Sequence, residues 1–125
     1  LGAAEFEKID VVRNGGLRSL EIMAEAGLPM AFGSDLLGQL RKYHCMEFEL
    51  LAKVLSPAEI IRSATTIGAK LCRLEGEAGE ISKGASADMI VVDGDPLSDI
   101  SLLGDDGAHM ALIMARGRLH KSNLV

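Results

Sequence analysis

The sequence has few of the residues that form nucleic-acid surfaces or membrane spans. It contains no Trp, one Tyr and three Phe, and its formal net charge is -5. Aromatic side chains that could stack on bases are therefore scarce, and no basic patch is present to bind a phosphate backbone. No apolar run approaches the roughly 18 residues of a membrane-spanning helix. These absences argue against nucleic-acid or membrane partners and favour a small or peptide-like ligand.

Cysteine and histidine are also scarce. Cys45 and Cys72 lie far apart and form no CxxC motif, so neither a disulfide framework nor a paired-cysteine zinc site is predicted. We expect both to be buried, reduced thiols in a cytoplasmic protein. The three histidines, His44, His109 and His120, are scattered along the chain. Because a catalytic zinc needs about three converging protein ligands, these histidines and the acids near them predict no complete site.

The N-terminus lacks both an initiator Met and a signal peptide pattern. A chain of 125 residues with 48% hydrophobic residues can form one ordinary globular core. We expect the sequence to be a fragment of a longer protein, either a processed piece or part of a gene.

The first half predicts a helix followed by a strand. Residues 4–12 are compatible with a helix, residues 14–16 (Asn-Gly-Gly) predict a turn or a helix end, and residues 17–26 repeat apolar side chains at helical spacing. Gly27 has the position of a C-terminal cap. The apolar residues 30–32 predict a buried strand, which completes one step of a parallel α/β sheet.

A single carboxylate, Asp35, follows this predicted strand directly after Gly33 and Ser34. In parallel α/β folds the carboxyl ends of the strands are where ligands and catalytic groups collect. Asp35 is therefore a candidate functional residue. The alternative is that it caps the helix that follows, because aspartate accepts hydrogen bonds from the first free helical amides.

Further helices are predicted before the pattern changes to strands. Residues 45–54 have a helical pattern, and Ser56, Pro57 and Glu59 predict the start of another helix with a capping box. Its residues Ile60 and Ile61 are predicted to point inward. The second half contains the dense apolar runs 89–93 and 111–115, which predict short strands within a set of about four. A set of about four short strands needs partners to form a stable sheet. We therefore expect a homo-oligomer or a tight complex with another polypeptide.

Two long runs carry a resemblance to a known family. Residues 64–71 (ATTIGAKL) and 79–100 (GEISKGASADMIVVDGDPLSDI) resemble the C-terminal signature of the amidohydrolase superfamily. Residues 32–38 (FGSDLLG), together with His44, Glu47 and residues 61–65, resemble its Xaa-Pro dipeptidase-like and imidazolonepropionase-like branch. The similarity extends from about residue 17 to residue 119.

This resemblance implies an α/β fold. Residues 1–74 would be the last strand and helices of a (β/α)₈ TIM barrel, and residues 75–125 would be strands of a small composite β-sandwich. It also implies a metal-dependent amidohydrolase that hydrolyses a C–N bond, amide or peptide-like and including Xaa-Pro dipeptides, by a metal-activated water. The expected partners are a small-molecule or dipeptide-like substrate and the remainder of the enzyme. Two alternatives are a cyclic-amide or imidazolone hydrolase of the same fold and a non-catalytic assembly module.

The resemblance assigns Asp35 the roles of metal ligand and general base. The cofactor would be a divalent metal, with zinc expected, in the full-length enzyme. Relatives take their other ligands from an HxH motif, a lysine or glutamate and two further histidines, in segments that this sequence does not contain. The 125 residues alone are therefore expected to be inactive and to bind no catalytic metal. His44 is the candidate substrate-binding residue, with a surface histidine as the alternative, and Glu47 is interpreted as a helix-face charge.

Overall fold

The computed structural model describes residues 3–124, with side chains described from residue 14 onward. The helices are α1 (Ala3–Glu25), α2 (Met46–Leu51), α3 (Pro57–Arg62) and α4 (Gly68–Leu71), and a π-helical turn, Ser63–Ile67, joins α3 to α4. Three 3₁₀ helices span Gly38–Tyr43, Ile100–Leu103 and Asp105–Gly107. The strands are β1 (Met89–Val92), β2 (Met110–Ala115) and β3 (Arg118–Ser122). Within the part of the chain that is described, no helix is long and apolar enough to cross a membrane.

Helix α1 is continuous, so the turn or helix end predicted at residues 14–16 is wrong. A glycine inside a helix costs only about 1 kcal/mol relative to alanine, and the helix-forming residues on both sides outweigh that cost. The Ser19 hydroxyl also donates a hydrogen bond of 2.8 Å to the Gly15 carbonyl. The predicted cap at Gly27 is confirmed. Gly27 adopts a φ of 65°, and its amide donates to the Ala24 carbonyl at 2.9 Å.

The strand predicted at residues 30–32 is not formed, and residues 28–37 contain no regular element. A strand exists only where a neighbouring strand satisfies its backbone groups, and no described segment pairs with this one. A hydrogen bond to a segment distant in sequence anchors it: the Phe32 amide donates to the Ser63 carbonyl at 3.1 Å. The segment that precedes Asp35 is thus attached to the start of the π-helical turn.

The capping box predicted at Ser56 is confirmed. The Glu59 amide donates to the Ser56 hydroxyl at 3.4 Å, and the Ser56 amide donates to a Glu59 carboxylate oxygen at 2.8 Å. Pro57 occupies the first turn, where no amide hydrogen is needed. The Ser56 hydroxyl also donates to this carboxylate at 2.5 Å, and the bonds that the carboxylate accepts from the Ser56 hydroxyl and amide lower the pKa of Glu59. Helix α3 therefore begins at a residue fixed by local sequence alone.

Removing this cap is expected to weaken the protein modestly. Ser56→Ala leaves the Glu59 amide without its acceptor, and the loss of a serine cap costs about 1 kcal/mol of unfolding free energy. Ser56→Thr is the matched control because it keeps the hydroxyl. Urea unfolding should show a lower midpoint for the alanine variant and a smaller change for threonine, and equal midpoints for both variants would contradict a capping role.

The three strands form one antiparallel sheet in the order β1-β2-β3, which confirms the strands predicted in both apolar runs. Ile90 lies opposite Ile113 in the first pair, with an irregularity between Val91 and Val92. At the β2–β3 turn, the Arg116 amide donates to an Asp88 carboxylate oxygen at 2.6 Å. That bond is the main cause of the lowered pKa of Asp88. The sheet is small, with three strands rather than about four.

Both halves of the chain contribute to one core. Leu51 and Ile60 come from helices α2 and α3, whereas Ile100 and Leu103 come from the 3₁₀ helix between β1 and β2. Ile60 has 0% of its surface exposed, and Ile61 is partly buried and packs against the same cluster, which confirms the inward orientation predicted for both. Phe32 packs against this cluster from the segment that precedes Asp35. The core therefore joins the candidate site to both halves.

Candidate functional site

Asp35 lies in the irregular segment between α1 and the 3₁₀ helix Gly38–Tyr43, and it is exposed. Its φ of 49° is a left-handed conformation that few residues other than glycine, asparagine and aspartate adopt. Three residues earlier, the Phe32 ring packs on Phe48 with 4.6 Å between ring centroids. Asp35 is therefore an exposed carboxylate close in sequence to an anchored aromatic side chain.

Asp35 does not cap the next helix. The N-cap position of the 3₁₀ helix is Leu37, and no side chain donates or accepts a capping hydrogen bond there. The capping interpretation of Asp35 is thus wrong. In the structure Asp35 is an exposed aspartate in a left-handed conformation within an irregular segment.

Two open cavities border the segment that contains Asp35. One, of about 460 Å³, is lined by Ser34, Leu36, Arg41, Lys42 and His44. The second, of about 430 Å³, shares Ser34 and Leu36 and is otherwise lined by Tyr43, Met46, Glu47 and Leu50. The residues on either side of Asp35 thus line the same cavity as His44.

Glu47 lies half-buried in the second cavity. Burial raises the pKa of its carboxyl group, because the charged form loses solvation. The interpretation of Glu47 as a simple helix-face charge is therefore incomplete, since part of its side chain lines a mostly apolar recess next to Ser34 and Leu36.

His44 is exposed, and a hydrogen bond to the Arg41 carbonyl orients its ring. Its Nδ1 lies 2.6 Å from the Arg41 carbonyl oxygen, which can only accept, so Nδ1 donates its hydrogen there and the lone pair of the neutral ring lies on Nε2. Nε2 faces the sulfur of Cys45 at 3.3 Å. Asp106 completes a cluster with these two residues, and the three ligand atoms all lie within 4.8 Å of one another.

The structure does not bring all the predicted residues together. Among the described residues, Asp35 belongs to no group of three metal-binding side chains, and His109 and His120 join none either. Sequence reasoning missed Cys45 and Asp106. Cys45 is half-buried and Cys72 is exposed, so the expectation that both thiols are buried is wrong for Cys72. The adjacent pair His44-Cys45 was the only sequence signal for the cluster.

Asp35 is suited to be one ligand of a metal centre, but it does not form a complete metal centre by itself. An exposed carboxylate is a suitable oxygen ligand for a divalent ion. About three protein ligands are needed, and among the described residues Asp35 belongs to no group of three. A metal at Asp35 would therefore require ligands from outside these residues.

Comparisons with known proteins agree on one family. The model of the amidohydrolase family matches residues 6–119. A crystal structure of an amidohydrolase is 46% identical over 90% of this chain, with a TM-score of 0.85. A prolidase complexed with N-methylphosphonate-L-proline is 42% identical over 98% of this chain, with a TM-score of 0.86. A Xaa-Pro dipeptidase with bound methionine is 30% identical over 85%, with a TM-score of 0.74. No curated protein matches the sequence.

These relatives are much longer than this chain. The chain spans 27% of the amidohydrolase, 30% of the prolidase and 25% of the Xaa-Pro dipeptidase. The likeness implies a fold that contains a TIM barrel, of which this chain is one part. The family consists of hydrolases that act on C–N bonds and are generally metal-dependent. The chain belongs to the amidohydrolase family, and within that family it resembles prolidases and Xaa-Pro dipeptidases.

Proposed function

We propose that this chain is the segment of a metal-dependent hydrolase that supplies one carboxylate, Asp35, to the catalytic centre. The enzyme would hydrolyse a peptide-like C–N bond, with Xaa-Pro dipeptides as its substrate class. The observation that carries this proposal is the 42% identity, over 98% of the chain, to a prolidase bound to a phosphonate derivative of proline.

The placement of Asp35 supports the proposed role. The residue is exposed and does not cap the helix that follows it. A divalent metal bound there would supply a Lewis acid and lower the pKa of water. Asp35 would hold the ion through one carboxylate oxygen and would accept a proton during hydrolysis. The contact between Phe32 and Phe48, and the bond from Phe32 to Ser63, would restrain the segment that carries it.

The exposed apolar surface supports the proposal that this chain packs on the rest of an enzyme. Leu37 is 78% exposed, Leu71 is 73% exposed and Ile81 is 87% exposed. Ile90 and Val91 of β1 are also exposed. Apolar side chains that lie together at the surface often mark a contact with another part of a protein. We assign residues 1–74 to the end of a (β/α)₈ barrel and residues 75–125 to a composite β-sandwich, with the missing parts covering these side chains. Homo-oligomer formation stays a prediction.

Substrate binding by His44 also stays a prediction. Its ring lines the cavity that borders the Asp35 segment. However, Nε2, the nitrogen that a substrate would contact, already faces the Cys45 sulfur at 3.3 Å. A substrate would have to compete with that contact.

The proposed substrate class can be tested on the complete enzyme with matched dipeptides. We expect kcat/KM for Ala-Pro to exceed that for Ala-Ala by at least about tenfold, which corresponds to about 1.4 kcal/mol of transition-state discrimination. Treatment with a chelator should abolish the activity, and added zinc should restore it. Hydrolysis of a cyclic imide or an imidazolone with no cleavage of either dipeptide would contradict the proposal.

A further inference from the structure

We propose that His44, Cys45 and Asp106 form a binding site for a divalent transition metal, with Zn²⁺ the expected ion. Asp35 contributes no ligand to this site. The bound ion would fasten the turn before α2 to the 3₁₀ helix Asp105–Gly107, which lies far away in sequence. The proposal rests on the ligand geometry, the tautomer of His44 and the packing that brings the two segments together.

The separation between the nitrogen and sulfur ligands suits a tetrahedral zinc. With Zn–N near 2.0–2.1 Å and Zn–S near 2.3 Å, tetrahedral geometry places the nitrogen and sulfur about 3.5 Å apart. His44 Nε2 and Cys45 Sγ lie 3.3 Å apart. The Asp106 oxygen lies within 4.8 Å of both atoms, so its side chain needs to move inward by roughly 1 Å at most to reach tetrahedral separations. An exposed aspartate can make that movement by rotating its side chain.

His44 is already in the tautomer that a metal requires. Histidine ligands usually donate their second ring N–H to a carbonyl or a carboxylate, which fixes the ring and leaves the other nitrogen free to bind the ion. The Nδ1 of His44 makes such a bond to the Arg41 carbonyl at 2.6 Å. This bond would be the outer-shell support of the site.

The fold presents the third ligand from a distant segment. Helix α2 packs on the 3₁₀ helix Ile100–Leu103 through the shared core, which includes Leu51 and Leu103. Asp106 lies three residues after Leu103 and has a φ of 48°, which is tolerable for an aspartate. The core contact therefore sets the distance between the two halves of the site.

The charges on the Asp106 side of the cluster favour a cation. A cavity of about 150 Å³ beside it is lined by Cys45, Asp106, Glu49 and Asp105, among others. The one cation in that lining, Lys42, has its Nζ 4.9 Å from the centre of the Tyr43 ring. One thiolate and one carboxylate neutralise a divalent ion, and the sulfur and imidazole ligands select zinc-like metals over magnesium or calcium.

Titration of Co²⁺ alone into the 125-residue protein at neutral pH tests the site directly. A thiolate ligand gives cobalt a near-ultraviolet charge-transfer band, and we expect the band to saturate at one equivalent and to disappear when Zn²⁺ displaces the cobalt. Absence of the band in protein that circular dichroism shows to be folded would overturn the proposal.

Two ligand variants and two control variants test which side chains bind the metal. Cys45→Ser should abolish the band, whereas the matched variant Cys72→Ser should retain it. Asp106→Asn should weaken cobalt binding by at least about tenfold, because loss of an outer-shell partner alone typically costs 10- to 100-fold. Asp35→Asn should leave the titration unchanged, so failure of the proposed catalytic role of Asp35 would not affect this result. A band that survives Cys45→Ser, or one lost in Asp35→Asn, would refute the assignment.

Discussion

Replacing Asp35 with asparagine in the complete enzyme is expected to lower kcat by at least about 10²- to 10⁴-fold, the range that general-base assistance contributes. Asparagine keeps the size of the side chain and one oxygen that can bind a metal. It removes the negative charge and the proton acceptor. Metal loss should therefore be partial, whereas the chemical step should suffer most, with little change in fold or substrate affinity.

Asp93→Asn is a suitable control for this experiment. Asp93 is also an exposed aspartate, and it lies directly after β1. Steady-state rates and metal content should be measured on both variants and on the wild type. A change confined to Asp35→Asn supports the assigned role. Turnover near that of the wild type in Asp35→Asn would remove Asp35 from the catalytic residues.

Truncating Ile60 to alanine should lower the unfolding free energy by about 2–5 kcal/mol, the range observed for large-to-small changes in protein cores. Ile60 is fully buried and packs with Leu51, Ile100 and Leu103. The deleted atoms lose their transfer free energy, and the surrounding residues, which belong to different helices, can close the space only in part. Because the total stability of a domain is typically about 5–15 kcal/mol, this single change would remove a large share of it.

The same substitution at Ile81 provides the comparison. Ile81 is 87% exposed, so Ile81→Ala should change stability by no more than about 0.5 kcal/mol. Denaturant unfolding of the two variants under identical conditions measures the difference. Similar losses for the two variants would mean that the core does not lie where we place it.

Features carried by neighbouring residues were predictable from the sequence. The capping box needs only Ser56, Pro57 and Glu59, and the cap of α1 needs only Gly27, so local chemistry determines both. The strands β1 and β2 were predictable because each is a dense apolar run. The continuous helix through Gly15 and Gly16 was not predictable in this way, because the helix-breaking tendency of glycine is weak when good helix formers lie on both sides.

Features that depend on distant residues were not predictable in this way. Residues 30–32 have the composition of a strand, but strand formation depends on a partner that composition does not reveal. The grouping of His44 and Cys45 with Asp106 follows from the packing of α2 on the second half of the chain. Asp35 is proposed because a short motif and a family resemblance both point to the same position.

The shared core also sets an order of events during synthesis. Leu51 and Ile60 are made well before Ile100 and Leu103, the other members of the buried cluster. At a translation rate of about 5–20 residues per second, the intervening chain takes several seconds to emerge. During that interval Ile60 has only part of its final packing partners, so the nascent first half exposes an apolar surface that chaperones can recognise. The first half can complete its core only after the residues between β1 and β2 have left the ribosome.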